Sequence, residues 1–184
     1  LDACGVDKAV FVGMSQGGFL SIRATLAYPR RVRALVLIDS CADVDDAETI
    51  EGYHGMLAGF TGGDPATQQA VAEGVSRLIL GDETLAAEWI PRWLANLKKH
   101  DLNVAGTALL SRDDVQPRAA EITCPVLVIH GGDDQAISVD RARLFADAVA
   151  DSRGVVVVDG AAHAPNMSHP DIVNDALAAF LQTV

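Results

Sequence analysis

The chain has 184 residues, 49% of them hydrophobic and 21% charged, which supplies the core of one globular domain with room for an insertion. Its net charge is −11, and its densest basic groupings are only Arg30-Arg31 with Arg33 and Lys98-Lys99, so nucleic acid and anionic membrane surfaces are excluded as partners. Cys4, Cys41 and Cys124 are too few and too scattered for a disulfide framework or a metal-ligand spacing and fit a reducing, cytoplasmic compartment; no apolar run is long enough to cross a membrane.

The chain opens on Leu1-Asp2-Ala3-Cys4-Gly5, which reads as the last turn of a helix closed by glycine. Four short apolar runs follow, continuous rather than alternating, as strands of a parallel sheet covered on both faces should be. They are Ala9–Val12, Ala34–Ile38, Val126–Ile129 and Val155–Val158. Between them lie helical patterns. Phe19, Ile22 and Leu26 recur at helical spacing until Pro29 stops the helix. Val139 to Val149 carries Leu144, Phe145, Ala148 and Val149. Asp171 to Leu181 carries Ile172, Val173, Ala176, Leu177, Phe180 and Leu181, with Ser168 or His169 as its cap. Strand–helix alternation implies an α/β fold with right-handed crossovers.

From about Ala42 to Pro117 no strand is expected. Helical segments Ala47–Ala58, Ala66–Leu80, Leu85–His100 and Leu102–Leu110 are punctuated by turn signals such as Thr61-Gly62-Gly63-Asp64-Pro65. This reads as a helical cap at residues 42–117, inserted into a core formed by 1–41 and 118–184. Trp89 and Trp93, one helical turn apart, are expected to pack within the cap itself.

The first strand runs directly into Gly13-Met14-Ser15-Gln16-Gly17-Gly18. A G-x-S-x-G sequence between a strand and a helix is a nucleophile elbow, a sharp turn that lifts a serine hydroxyl clear of the sheet. Gly13 and Gly17 are expected where strand and helix pass too close for side chains. A serine nucleophile needs a base, and the base an orienting acid. Past the third strand come His130-Gly131-Gly132-Asp133-Asp134, and past the fourth Asp159-Gly160-Ala161-Ala162-His163. The carboxyl ends of parallel strands share one edge of a sheet, so these residues would converge. Asp133 and Asp134 also read as a solvated turn, and Asp39, just past the second strand, is a rival acid. His130 reads as structural, holding its loop through a backbone bond. His54, His100 and His169 read as surface or capping residues, and Cys41 as a small buried apolar one.

With these motifs the chain resembles the α/β-hydrolases of the esterase and lactonase type, and is similar to 3-oxoadipate enol-lactonases and small carboxylesterases. The likeness is carried by Val12-Gly13-Met14-Ser15-Gln16-Gly17-Gly18, by Pro125-Val126-Leu127-Val128-Ile129-His130-Gly131 with Asp134, by Gly160-Ala161-Ala162-His163-Ala164-Pro165-Asn166, and by His169-Pro170 before the last helix. It implies an α/β-hydrolase fold reduced to a partial parallel sheet, its last four strands, with a helical cap. It also implies Ser15 as nucleophile, Asp134 as acid and His163 as base. In that family the acid stands four residues after the strand-end histidine, which favours Asp134 over Asp133. Relatives that open epoxides or remove halogen use an aspartate nucleophile, so Ser15 sets the chain apart from them.

The expected function is a serine hydrolase acting on a small carboxylic ester or lactone without metal or cofactor. The alternatives are a ligand-binding homologue that turns over little, and an inactive fragment of a longer hydrolase. One oxyanion donor is expected from the Gln16 backbone N–H. The family's second donor comes from a loop after an earlier strand, often marked His-Gly, and none precedes Ser15. The elbow strand is therefore expected at an exposed sheet edge, as part of a longer enzyme, paired in a homodimer, or completed by another chain.

Overall fold

The computed structural model describes residues 1–97 and 99–184; Lys98, inside the expected helix Leu85–His100, lies outside the described residues. The chain divides into two compact units. One comprises Leu1–Asp43 with Asp114–Val184, and the other Val44–Asp113.

The first unit holds four parallel strands in the order β1 (Ala9–Met14), β2 (Val32–Ile38), β3 (Val126–Gly131) and β4 (Ser152–Val158). Its helices are α1 (Gln16–Ala27), α6 (Val139–Ala148), α7 (Pro165–Ser168) and α8 (Pro170–Leu181). Side chains alternate across a strand, and here both faces are covered. On one face Leu35, Leu37, Val126 and Val128 pack with Ile22 of α1 and Phe145 of α6. On the other, Ala34, Val36, Ile38, Leu127 and Ile129 pack with Val173 and Phe180 of α8. That double cover is why β2 and β3 read as unbroken apolar runs.

The expected helical stripes prove narrower than their apolar residues suggest. Leu144, Ile172 and Leu181 are exposed, because each helix buries only the side along Ala142, Phe145 and Ala146 or along Val173 and Phe180, with Ala148 or with Ala176 and Leu177 partly buried beside it. β1 and β4 are the sheet edges and are only partly buried. Val12 is 47% exposed, since α8 packs on β3 and β4 rather than over β1. The opening turn is a 3₁₀ helix, Asp2–Cys4, closed by Gly5 at φ 65°.

The second unit contains α2 (Ala47–Thr61), α3 (Pro65–Ile79), α4 (Glu83–Leu97) and α5 (Leu102–Leu110). Asp46, Asp64 and Asp101 accept from the Thr49, Thr67 and Asn103 amides at the starts of α2, α3 and α5. Trp89 and Trp93 are half-buried, and Arg92 lies 5.1 Å over the Trp89 ring. The buried Arg112–Asp45 pair, 2.9 Å apart, joins the two ends of this unit. Within the first unit, Val115 N–H donates to Ala42 O at 3.1 Å, and Arg141 pairs with Asp43 at 2.9 Å. The chain segments that flank the helical unit are thus tied together on the sheet side.

The elbow is as tight as expected, but the glycines that need to be glycine differ in part. A Cβ on Gly13 would collide with the Gly17 backbone, and one on Gly18 with the Ser40 side chain. A Cβ on Gly17 would meet open space. Gly17 contributes the backbone against which Gly13 is pressed; the close approach on the helix side falls on Gly18. Gly13→Ala should therefore lower unfolding stability by at least about 3 kcal/mol, whereas Gly17→Ala should leave it unchanged or raise it by up to about 1 kcal/mol. Urea unfolding of the two variants separates these outcomes, and equal midpoints would refute the assignment.

Candidate active site

Four residues mark the carboxyl ends of the four strands: Ser15 after β1, Asp39 after β2, Asp134 beyond β3 and His163 beyond β4. Because all strands are parallel, these ends share one edge. Two of them leave the sheet in conformations disfavoured for a residue bearing a Cβ. Ser15 has φ 49° and ψ −118°, and Asp39 has φ 44°. Such positions cost about 1–3 kcal/mol each and persist only where the surroundings hold them. Here Ser15 N–H donates to Ile38 O at 2.9 Å, and Ser40 Oγ donates to Ser15 O at 3.0 Å. Asp39 N–H donates to Ile129 O at 3.0 Å.

The sheet brings Asp134 and His163 together. His163 Nδ1 lies 2.8 Å from Asp134 Oδ2, with both side chains buried. The other carboxylate oxygen, Oδ1, accepts from the Ala136 and Ile137 amides at 2.8 and 3.1 Å. His130 Nε2 stands 3.3 Å from Oδ2 and 2.8 Å from Ile137 O. Burial pulls the Asp134 carboxyl upward, but hydrogen bonds from His130 and His163 outweigh it and hold the group well below the usual carboxylate range. With Asp134 ionised, His163 Nδ1 must carry the proton, so Nε2 of the neutral ring is the lone-pair nitrogen.

Asp133 is exposed, so the two neighbouring acids divide cleanly between solvent and site. His54 and His100 are exposed, and His169 caps α8 with its ring beside Ser168 Oγ. Cys41 is fully buried. Gln16 is the first residue of α1, a position where an amide points out of the helix end rather than back into it. No hydrogen bond joins the Ser15 hydroxyl to His163 among the described residues.

Asp39 takes a place that its position at a strand end only hinted at. It is fully buried, its Oδ1 accepts Gly131 N–H at 2.9 Å, and its carboxyl lies in one cluster with the Asp134 carboxyl and the His163 ring, one ligand-type atom of each lying within 4.8 Å of the others. Burial pushes the Asp39 carboxyl up to about 9, against the Gly131 hydrogen bond and with help from the neighbouring Asp134 charge. The three residues could in principle offer oxygen and nitrogen to a cation. Asp134 and His163 Nδ1, however, are already taken up by backbone amides and by each other, and Asp39 Oδ1 by Gly131 N–H, in the manner of a hydrogen-bonded network. Ser40, which touches both the Ser15 carbonyl and the space beside Gly18, carried no sequence signal; its role depends on the β1–β2 register that pairs Met14 with Ile38.

A parallel sheet with a strained strand-to-helix serine and a buried acid–histidine pair at its carboxyl edge is the framework of an α/β hydrolase. The sequence matches the Alpha/beta hydrolase family over residues 1–176, and the chain belongs to that family. It is 29% identical to a pimeloyl-[acyl-carrier protein] methyl ester esterase of Citrobacter koseri, across 97% of this chain and 72% of that protein. It is 24% identical to 3-oxoadipate enol-lactonase 2 of Acinetobacter baylyi, across 99% and 67%. Among solved structures, a thermophilic esterase from Thermogutta terrifontis superposes with a TM-score of 0.86 at 22% identity, over 99% of this chain and 68% of that one.

Asp39 carries a consequence for stability. Its folded pKa lies above the unfolded value of about 4, so the stability it leaves intact below pH 4 is lost progressively as pH rises towards 9. Asp39→Asn removes that loss. The variant should unfold at higher urea than the parent at pH 8, with the difference closing near pH 4; an equal or lower midpoint at pH 8 would contradict a neutral Asp39.

Proposed function

We propose that this chain is a serine hydrolase that cleaves a small carboxylic ester or lactone through an acyl-enzyme intermediate. The observation that supports this most is the 2.8 Å bond between His163 Nδ1 and Asp134, which leaves the ring's other nitrogen as a base on the edge where the Ser15 elbow ends. Esterases and a lactonase among the relatives point to the same bond type.

In the first step His163 Nε2 takes the Ser15 proton as Oγ attacks the carbonyl carbon, a contact that tightens as substrate docks. Asp134 keeps the proton on Nδ1 and offsets the imidazolium charge. The developing oxyanion is met by the Gln16 backbone N–H at the start of α1, where the helix dipole also favours negative charge. His163 then protonates the leaving alkoxide. Water, deprotonated by the same nitrogen, hydrolyses the Ser15 ester and regenerates the hydroxyl. No metal or cofactor enters this scheme. Three free thiols support a reducing, cytoplasmic setting for this reading.

Short-chain aryl esters provide the assay. Ser15→Ala should lower kcat by about 10⁶ and abolish labelling by a fluorophosphonate. Asp134→Asn should lower kcat by about 10⁴ by permitting the wrong histidine tautomer. Turnover that survives Ser15→Ala, or a parent protein that neither labels nor turns over, would overturn the reading in favour of a binding role.

A further inference from the structure

Asp39 and Asp134 are two buried carboxyl groups in one cluster, but the mechanism above uses only one. Their surroundings are unequal. Asp134 accepts from three donors, the Ala136 and Ile137 amides and His163 Nδ1, and His130 Nε2, bonded to Ile137 O, stands 3.3 Å from its Oδ2. Among the described residues Asp39 has one hydrogen-bond donor, Gly131 N–H, on Oδ1; its Oδ2 is buried with no partner there, and His130 Nε2 is 3.8 Å from Oδ1. Among the described residues no lysine or arginine is paired with Asp39. Two carboxylates this close in a dry site cannot both ionise. The charge settles on the better-solvated group and the proton on the other. The unpartnered Asp39 Oδ2 is where that proton belongs, because an O–H there, unlike a bare oxygen, can use the Asp134 carboxylate of the same cluster as an acceptor.

The position of Asp39 gives the neutral acid something to hold. Its Oδ1 grips Gly131, the last residue of β3. A Cβ on Gly131 would run into the carbonyls of Ala161 and Ala162, the residues that lead into His163. Asp133 N–H also donates to Ala161 O at 2.9 Å. The end of β2, the loop bearing Asp134 and the loop bearing His163 therefore bear on one another through Gly131.

We propose that Asp39 is a positioning residue of this site: an uncharged carboxylic acid that donates its proton in a hydrogen bond to Asp134 and, through Gly131, fixes the direction in which Asp134 holds His163. This rests on the reading of Asp134 and His163 as acid and base. The pair then carries a single negative charge, matching the single positive charge that appears on His163 when Ser15 gives up its proton.

Infrared difference spectra at pH 7, taken without substrate, test the protonation state directly. The parent should show the C=O stretch of a buried protonated carboxyl, absent from Asp39→Asn. Asp39→Asn keeps both the acceptor for Gly131 and a donor for Asp134, so it should retain kcat within roughly threefold. Its acidic limb of kcat/KM, which reports protonation of the base, should not move. Asp39→Ala should lower kcat roughly tenfold or more with little change in KM, through misplacement of the base. Lack of the carboxyl band in the parent would overturn the proposal. So would a limb that falls by about one pH unit or more in Asp39→Asn, since that is the response to removing a full charge so close to the ring. A folded Asp39→Ala with parental kcat would remove the positioning role. A parent that shows the band but no Ser15-dependent turnover would bring down the hydrolase reading and leave the proton-sharing pair standing.

Discussion

A single buried negative charge organises the carboxyl edge of this molecule's sheet. An isolated carboxylate in a protein interior is strongly disfavoured unless hydrogen bonds replace its lost water. Asp134 has two backbone amides on one oxygen and two imidazole nitrogens near the other. Those partners come from the turn after β3, from β3 itself and from the loop after β4. Satisfying one carboxylate therefore fixes three segments at once, and the orientation of His163 follows from that requirement.

The serine side of the edge is held differently. Ser15 contributes no charge; its constraint is conformational. The turn from β1 into α1 is possible because Gly13 lacks a side chain where the helix backbone passes. It stays in place because Ile38 and Ser40, at the end of the adjacent strand, bond the Ser15 amide and carbonyl. The β2 end thus serves both halves of the site. Ser40 steadies the elbow, and its neighbour Asp39 lies against the acid. Two consecutive residues just past β2 point to different partners because the chain there turns sharply, with Asp39 at positive φ.

Much of this was legible in the sequence wherever the governing physics is local. The four strands were visible as unbroken apolar runs because both sheet faces are covered, and the elbow was visible because glycine, serine and glycine must fall in fixed register between a strand and a helix. Asp134 stood out from Asp133 only through a family resemblance, since spacing alone cannot tell a solvated turn acid from a buried one. The intimacy of Asp39 with Asp134 was out of reach. It depends on β2 and β3 being neighbours, although the whole helical unit separates them in the chain. Leu144, Ile172 and Leu181 stand in the apolar helical patterns yet are exposed for a related reason: periodicity marks the apolar side of a helix, but the width of contact is set by the surface it meets.

The fastening of the segments around the helical unit bears on how such a chain can change over time. Ala42 and Val115 meet on the sheet side, and Asp43 is anchored by Arg141 of α6. From the sheet's standpoint the intervening residues are a closed loop, and the entropy of closing a loop grows only slowly with its length. Segments between those two points can lengthen, shorten or be exchanged for unrelated helices at small thermodynamic penalty to the sheet unit. Variation in the helical unit is thereby uncoupled from preservation of the strand ends that carry Ser15, Asp39, Asp134 and His163.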